Sequence, residues 1–427
     1  MNRREVIGLG AGALTSFGLG FPRPALAQAK TIEVWSHAAA GDGSVIERAV
    51  AYAANSFMEK HPDIKVRIVS MPWQQISPTL LRSVKAGKVP DVAMLYSPQM
   101  PIQIEAGTLT PLNGLMEKWS EESQNDIVRL PQAESKGVIF GLPWQARTSG
   151  LVYRADLLKK AGQEPPRSLE EWSEEAAAIS GNDVVGIALG FSPEGSSVAG
   201  AWFLTSQIGS GAEVLGPDGR AHFVTPEAER IVQWVADQVK RNPPTLPLDV
   251  ALLDQEKEHD LFSAKRAVFL PTSSDRHPRV VEKSGLAASD VGMTMYPTFD
   301  PEKPAPAVVQ SWNLVIPKGA RQSDLSWMFI EHWTSAEVQT QGAKIAGLGP
   351  VRRSALRDEF FEKPEAQILR WATEYPAEHP LKFVFPTNTE VLYDTWAKMF
   401  GQVLSGGMTA RQGLEWAQKE YDRRTSR

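Results

Sequence analysis

The chain has 427 residues, a formal net charge of −5, 42% hydrophobic residues and no cysteine. The missing thiol excludes disulfides, thiolate catalysis and cysteine-ligated metals, and the acidic balance argues against nucleic acid as a partner, because phosphate binding needs a basic face. Even without its first 27 residues the chain exceeds the roughly 250–300 at which a single core stops growing, so at least two lobes are expected.

Residues 1–27 read as an export leader rather than as structure: Arg3-Arg4 precede a glycine-diluted apolar run, and Ala25-Leu26-Ala27 supplies a small-x-small cleavage pattern. The paired arginines and the weakly hydrophobic core point to twin-arginine (Tat) export, although Asn2 and Val6 depart from the fuller pattern. The apolar run is shorter than the roughly 20 residues a membrane span needs, and no later stretch is long and apolar enough. No cysteine is present for lipid attachment. The expected location is therefore the periplasm of a Gram-negative cell, with no membrane insertion after cleavage of the leader.

Beyond the leader, residues 31–35 (TIEVW) alternate as a strand does, and Ile46, Ala49, Val50, Ala53 and Phe57 recur at the spacing of an amphipathic helix. A second strand is predicted over 65–69, a turn over 71–77, a helix over 79–86 and a third strand over 91–95. This β-α-β-α-β order with short connections predicts an α/β lobe around a parallel sheet. Residues 141–154 (GLPWQARTSGLVYR) then gather a turn glycine, a proline, an indole, a guanidinium and two hydroxyls ahead of an apolar strand, a segment that presents side chains rather than burying them. Farther on, Ser168 to Glu171 has capping-box spacing. Strands are predicted over 184–189, 265–270 and 292–296, and helices over 201–208 and from Thr225-Pro226. A strand over 308–318, a helix over 325–334 and a last helix opened by the capping-box spacing Thr409 to Gln412 complete the chain. Neither an internal repeat nor a low-complexity tract interrupts it.

The stretches FMEKHPDIKV, KAGKVPDVAML, AGTLTPL, GLPWQARTSGLVYR, VVQSWNLVIPK and GLGPVRRSAL resemble, in order and spacing, the motifs of extracellular solute-binding proteins, the maltose-type and glycerol-phosphate-type receptors of ABC importers. The resemblance covers nearly all of 31–424, with Trp144 where the family usually has Tyr and Arg154 where it often has Asn. It implies a two-lobe α/β fold of the type II periplasmic-binding-protein kind, its discontinuous lobes joined by a hinge with the ligand cleft between them. The first lobe is expected over 30–140 plus 307–346 and the second over 141–306 plus 347–427. A monomer that delivers its ligand to the permease subunits of an ABC importer is implied as well.

Enzyme signatures are missing. There is no G-x-S-x-G elbow, Walker loop or H-E-x-x-H, and the seven histidines show no ligand spacing, so neither metal nor cofactor nor catalysis is expected. The candidate ligand-binding residues lie in loops after strands, where open α/β sheets bind ligands. They are Ser36 and His37, Trp73 and Gln74, and Ser97 in the first lobe. At the crossover they are Trp144, Arg147 and Thr148, and in the second lobe Trp202, Thr272, Ser273 and Ser274. Trp312 and Asn313 on the return strand and Arg352 after Pro350 complete the set. The positions of Trp144, Trp312 and Arg352 follow from the resemblance.

These residue types suit a sugar, whose apolar face an indole can cover and whose hydroxyls need fixed donors and acceptors. Arg147 and Arg352 sit in two elements that the family brings to one cleft, and His37 can join them. Two converging guanidiniums call for an anion between them, so an acidic sugar or polyol derivative is expected, with a neutral oligosaccharide as the alternative. The rival class, an exported glycoside hydrolase, needs two facing carboxylates, and none of the candidates is Asp or Glu.

Overall fold

The computed structural model describes residues 30–426 apart from 39, 40, 42, 182, 194, 195 and 217, and the side chains of all these except 196 and 197. The expected leader at 1–27 lies outside the described residues. Among the described residues the strands are β1 (Lys30–Ser36), β2 (Ile64–Ser70), β3 (Val92–Tyr96), β4 (Glu134–Ser135), β5 (Val138–Ile139), β6 (Leu142–Pro143), β7 (Ser149–Arg154), β8 (Val185–Ile187), β9 (Ala267–Ser273), β10 (Val291–Thr294) and β11 (Trp312–Val315). They form two main sheets, one per lobe, and a small β4-β5 pair.

The first sheet has the order β2-β1-β3-β11-β6. Its first three strands are parallel, joined by the helices Val45–Lys60 and Trp73–Lys85. The sheet is nevertheless mixed: β11 runs antiparallel to β3, and β6 antiparallel to β11. Both added strands come from segments passing between the lobes, a long-range pairing that local periodicity does not carry. In the second sheet, ordered β10-β7-β9-β8, β7 is antiparallel to both its neighbours and β8 is parallel to β9.

Local chemistry explains most elements. The helix Val45–Lys60 turns Ala49, Val50, Ala53 and Phe57 inward, and the Ser44 hydroxyl accepts from the Glu47 N–H at its start. Both capping boxes form as their spacing predicts, Ser168 with Glu171 and Thr409 with Gln412. Two elements differ from expectation. The helix predicted from residue 79 starts at Trp73 and runs through Pro78, because buried Ile76 and Leu80 anchor its apolar face on both sides of the proline at the loss of one backbone hydrogen bond. Strand β9 continues to Ser273, so Thr272 and Ser273 lie on a ladder paired with β7 and not in a loop.

Each lobe has its own core. Phe57, Trp144, Phe329, Trp333 and Leu348 belong to the first, and Trp172, Trp202, Trp234, Trp396 and Phe400 to the second. Because β6 sits in the first sheet and Trp144 and Ala146 pack in the first core, the chain leaves that lobe later than the break at residue 140 that the resemblance implies. The three crossings run side by side: Ala146 bridges Gly349 and Thr148 bridges Val309. A Cβ on Gly349 would lie 2.5 Å from the Ala146 carbonyl oxygen, so this approach admits only glycine.

Candidate functional site

The strand ends converge on a cavity of about 960 Å³ between the lobes. In the first lobe, the β3-β11 register places Tyr96 directly across from Trp312, and their ring centroids lie 5.3 Å apart. His37, following β1, stacks on Trp312 at 3.7 Å with an interplanar angle of 7°. Trp73, on the first turn of its helix after β2, meets Trp312 and Tyr96 edge-on at 6.4 and 5.8 Å. Three parallel strands thus deliver their C-terminal ends to one aromatic corner, as open α/β sheets do. Trp73 is 38% exposed and is the open face of that corner.

The second lobe answers with charge. Strands β7 and β9 pair Ser149 with Ser273, so the residue two before Ser149 and the residue two after Ser273 lie opposite each other. These are Arg147 and Asp275, and the Arg147 Nε donates to Asp275 Oδ1 at 2.8 Å and to the Ser273 hydroxyl at 3.0 Å. Ser273 in turn donates to Asp275 at 2.6 Å. Burial works against the Arg147 charge, but Asp275 and Tyr96 outweigh it and raise its pKa above the ordinary arginine value. Burial likewise opposes ionisation of Asp275, yet Arg147, Arg276 and Ser273 hold its carboxyl below the usual carboxylate range. Burial first and Arg147 second depress His37 to about 3, leaving the imidazole neutral.

Among the residues expected from the sequence, His37, Trp73, Arg147 and Trp312 line this cavity. Ser273 supports it from behind, and Gln74 is exposed on the helix beside it. The remaining candidates lie elsewhere. Trp144 is 2% exposed, packs on Trp333 at 5.6 Å and belongs to the first core. Trp202 is fully buried in the second core. Arg352 is the clearest correction: its Nε donates to the Thr334 carbonyl at 2.9 Å, its Nη1 to the Ser123 carbonyl at 2.6 Å, and its guanidinium covers the Trp119 ring at 4.3 Å. With Asp126 at 3.8 Å, it fastens a surface helix to the third crossing and takes no part in the cavity.

The hydroxyl candidates are used internally. Ser36 accepts from the Ala38 N–H, and Ser97 and Asn313 clip β3 to β11. Thr148 donates to the Ala372 carbonyl, Thr272 pairs with His259, and Ser274 accepts from the Thr148 N–H. A small polar side chain at a strand end satisfies backbone groups as readily as ligand groups, and sequence alone does not separate the two.

Sequence reasoning missed Tyr96, Gln145, Asp275, Arg279, Glu390 and Tyr393, all of which line the cavity. Asp275 lies in the short turn that follows β9, and Tyr96 stands just past the strand predicted over 91–95, so neither drew notice beside its small polar neighbours. Glu390 and Tyr393 sit in the helix Thr389–Leu404, whose pattern reads as core. The cavity therefore carries carboxylates, Asp275 and Glu390 among them, which the candidate set lacked. Among the described residues, no group of three or more His, Cys, Asp and Glu is placed to hold a metal ion.

Residues 52–368 match the sequence profile of the bacterial extracellular solute-binding proteins. The chain belongs to that family. Its relatives include a binding protein of Brucella abortus (strain 2308), 24% identical over 251 residues, a match covering 56% of this chain and 59% of that protein. Against such first relatives the chain thus spans about three fifths of their length. The mannitol-binding protein of Pseudomonas aeruginosa is 23% identical over 393 residues, covering 87% of this chain and 88% of that one. Among solved structures the GacH receptor of Streptomyces glaucescens, studied unliganded and with acarbose, superposes with a TM-score of 0.75 at 18% identity, covering 92% of this chain and 98% of the other. The fold is therefore the two-lobe α/β fold of periplasmic binding proteins.

Proposed function

We propose that this family member is the ligand-capturing component of an ABC importer and takes a neutral carbohydrate or polyol. The observation that carries the reading is the pairing, across one interlobe cavity, of the Trp73-Tyr96-Trp312 corner with the Arg147-Asp275 ion pair. The corner offers flat apolar faces to a C–H surface, and the ion pair offers fixed donors and acceptors to hydroxyls. The mannitol and acarbose named for the relatives are ligands of this kind.

The convergence of Arg147 and Arg352 that pointed to an acidic ligand does not form. Arg352 is committed elsewhere, and the charge of Arg147 is matched by Asp275 at 2.8 Å. A hydrolase is disfavoured by the family, which is one of solute-binding proteins, and Asp275, held ionised by Arg147, has no proton for a leaving group. Binding ties the lobes together through groups contributed by both, so the ligand favours the closed conformation. The protein acts in the periplasm as a monomer, exported by its twin-arginine leader, and hands the ligand to the permease.

A thermal-shift screen of neutral and acidic sugars and polyols tests this, since a ligand bound by the folded state alone raises stability as RT ln(1 + [L]/Kd). Stabilisation by neutral members is the expected result. Stabilisation confined to acidic members, or turnover of a glycoside, would overturn it.

A further inference from the structure

The seam where the lobes meet at the cavity wall contains polar groups that the protein itself does not satisfy. Tyr96, on β3 of the first lobe, donates its hydroxyl to Gln310 Oε1 at 2.9 Å. Gln310 stands on the second crossing, beside the Tyr393 hydroxyl of the second lobe. Yet the Gln310 Nε2 and the Tyr393 Oη, which lie within reach of one another, are both buried without a well-formed hydrogen bond among the described residues. Gln145 Oε1, on the first crossing and also at the cavity wall, is left in the same way. Tyr393 is 3% exposed and Gln145 4%, so water does not make up the deficit by exposure. Such groups each cost stability until something pairs with them.

We propose that Tyr393, with Gln310 and Gln145, is a specificity-determining hydrogen-bonding set that receives a hydroxyl of the ligand at the lobe seam. This rests on the reading of the cavity as a carbohydrate or polyol site and assigns residues within it. Tyr96 and Tyr393 come from opposite lobes, so a slight parting of the lobes admits a ligand group between them, and reclosure holds it. A hydroxyl is the fitting group because it accepts from the Gln310 amide while donating to Gln145 or exchanging a bond with the Tyr393 phenol. A carboxylate could not donate to Gln145. It would also face Glu390, one turn before Tyr393 on the helix Thr389–Leu404, which lines the same cavity.

Calorimetric titration of the full mature chain with neutral polyols and aldoses, each beside its aldonic acid, is the test, run on wild type and on Tyr393→Phe. Phenylalanine keeps the ring and removes only a hydroxyl that makes no well-formed bond in the unliganded chain, so the unliganded variant melts no lower than wild type. Its affinity for the best neutral ligand falls about 5- to 100-fold, the worth of a buried hydrogen bond. Gln145→Met shows the same split between unchanged melting and weakened binding. Wild-type affinity in both variants, or an aldonic acid bound more tightly than its neutral parent, overturns the assignment while leaving the carbohydrate reading intact. Binding of no panel member by wild type overturns that reading and this one with it.

Discussion

At the scale of single residues, an indole in a family motif and an indole in the cavity wall are different things. Trp144 and Trp312 both fall in motif segments, but Trp312 faces the cavity and Trp144 fills the first core. Trp312→Ala is expected to weaken ligand binding by about 1–3 kcal/mol and also to lower unfolding stability, because the ring belongs to the first core as well as to the cavity wall, whereas Trp144→Ala should lower unfolding stability by about 3–5 kcal/mol and leave ligand affinity unchanged. Calorimetry and urea melts on the two variants separate these outcomes, and equal binding losses would place Trp144 in the wall. A second residue-scale expectation concerns Glu258, which is 2% exposed. Burial pushes its carboxyl well above the ordinary value, outweighing the 2.6 Å hydrogen bond from the Gly190 N–H. Unfolded, the group titrates near about 4.3, so its stabilising contribution is complete below that pH and is lost as pH climbs toward the folded value. Glu258→Gln keeps an oxygen for Gly190 and cannot ionise. It should melt above wild type at pH 8 and level with it at pH 4; a melting difference independent of pH would contradict this.

At the scale of elements, strongly periodic helices and their caps were legible, since capping and amphipathicity are local. Ser168 is the plainest case: its side chain accepts from the Glu171 N–H at 3.0 Å and the Glu171 carboxylate returns to the Ser168 N–H at 3.3 Å. Ser168→Ala is expected to cost about 1 kcal/mol, measured by chemical unfolding, without changing ligand affinity because the helix Leu169–Ile179 lies away from the cavity. Boundaries set by distant packing were not legible. The sequence pattern starts this helix at residue 79, and only the burial of Ile76 and Leu80 shows why it begins at Trp73 and lifts that indole to the cavity. The extension of β9 to Ser273 depends on β7, more than a hundred residues earlier.

At the scale of the whole molecule, the two lobes bring an aromatic corner and an ion pair together, and none of their key groups changes charge near neutrality. His37 is depressed to about 3, Asp275 is held below its usual range and Arg147 above its own. Ligand affinity should therefore stay within about twofold between pH 5 and 8, and decline only as pH approaches 3, where His37 gains a proton beside Arg147. Titration at several pH values checks this, and a tenfold change between pH 5 and 7 would mean that a titrating group contacts the ligand. The sequence by itself determined the family, the two-lobe α/β plan, the amphipathic helices and the caps, because each is written in local spacing or in the order of motifs. It also singled out His37 and Trp73 after strands, Arg147 at the crossover and Trp312 on the return strand, all of which line the cavity. Only the tertiary structure decided which strand-end hydroxyls were spent on the backbone, that Arg352 braces a crossing, and that Asp275 and Tyr393 enter the cavity. Those outcomes depend on which segments meet, as when β7 and β9 align Arg147 with Asp275 and a helix from the end of the chain carries Tyr393 to Gln310. Local pattern carries no record of such meetings.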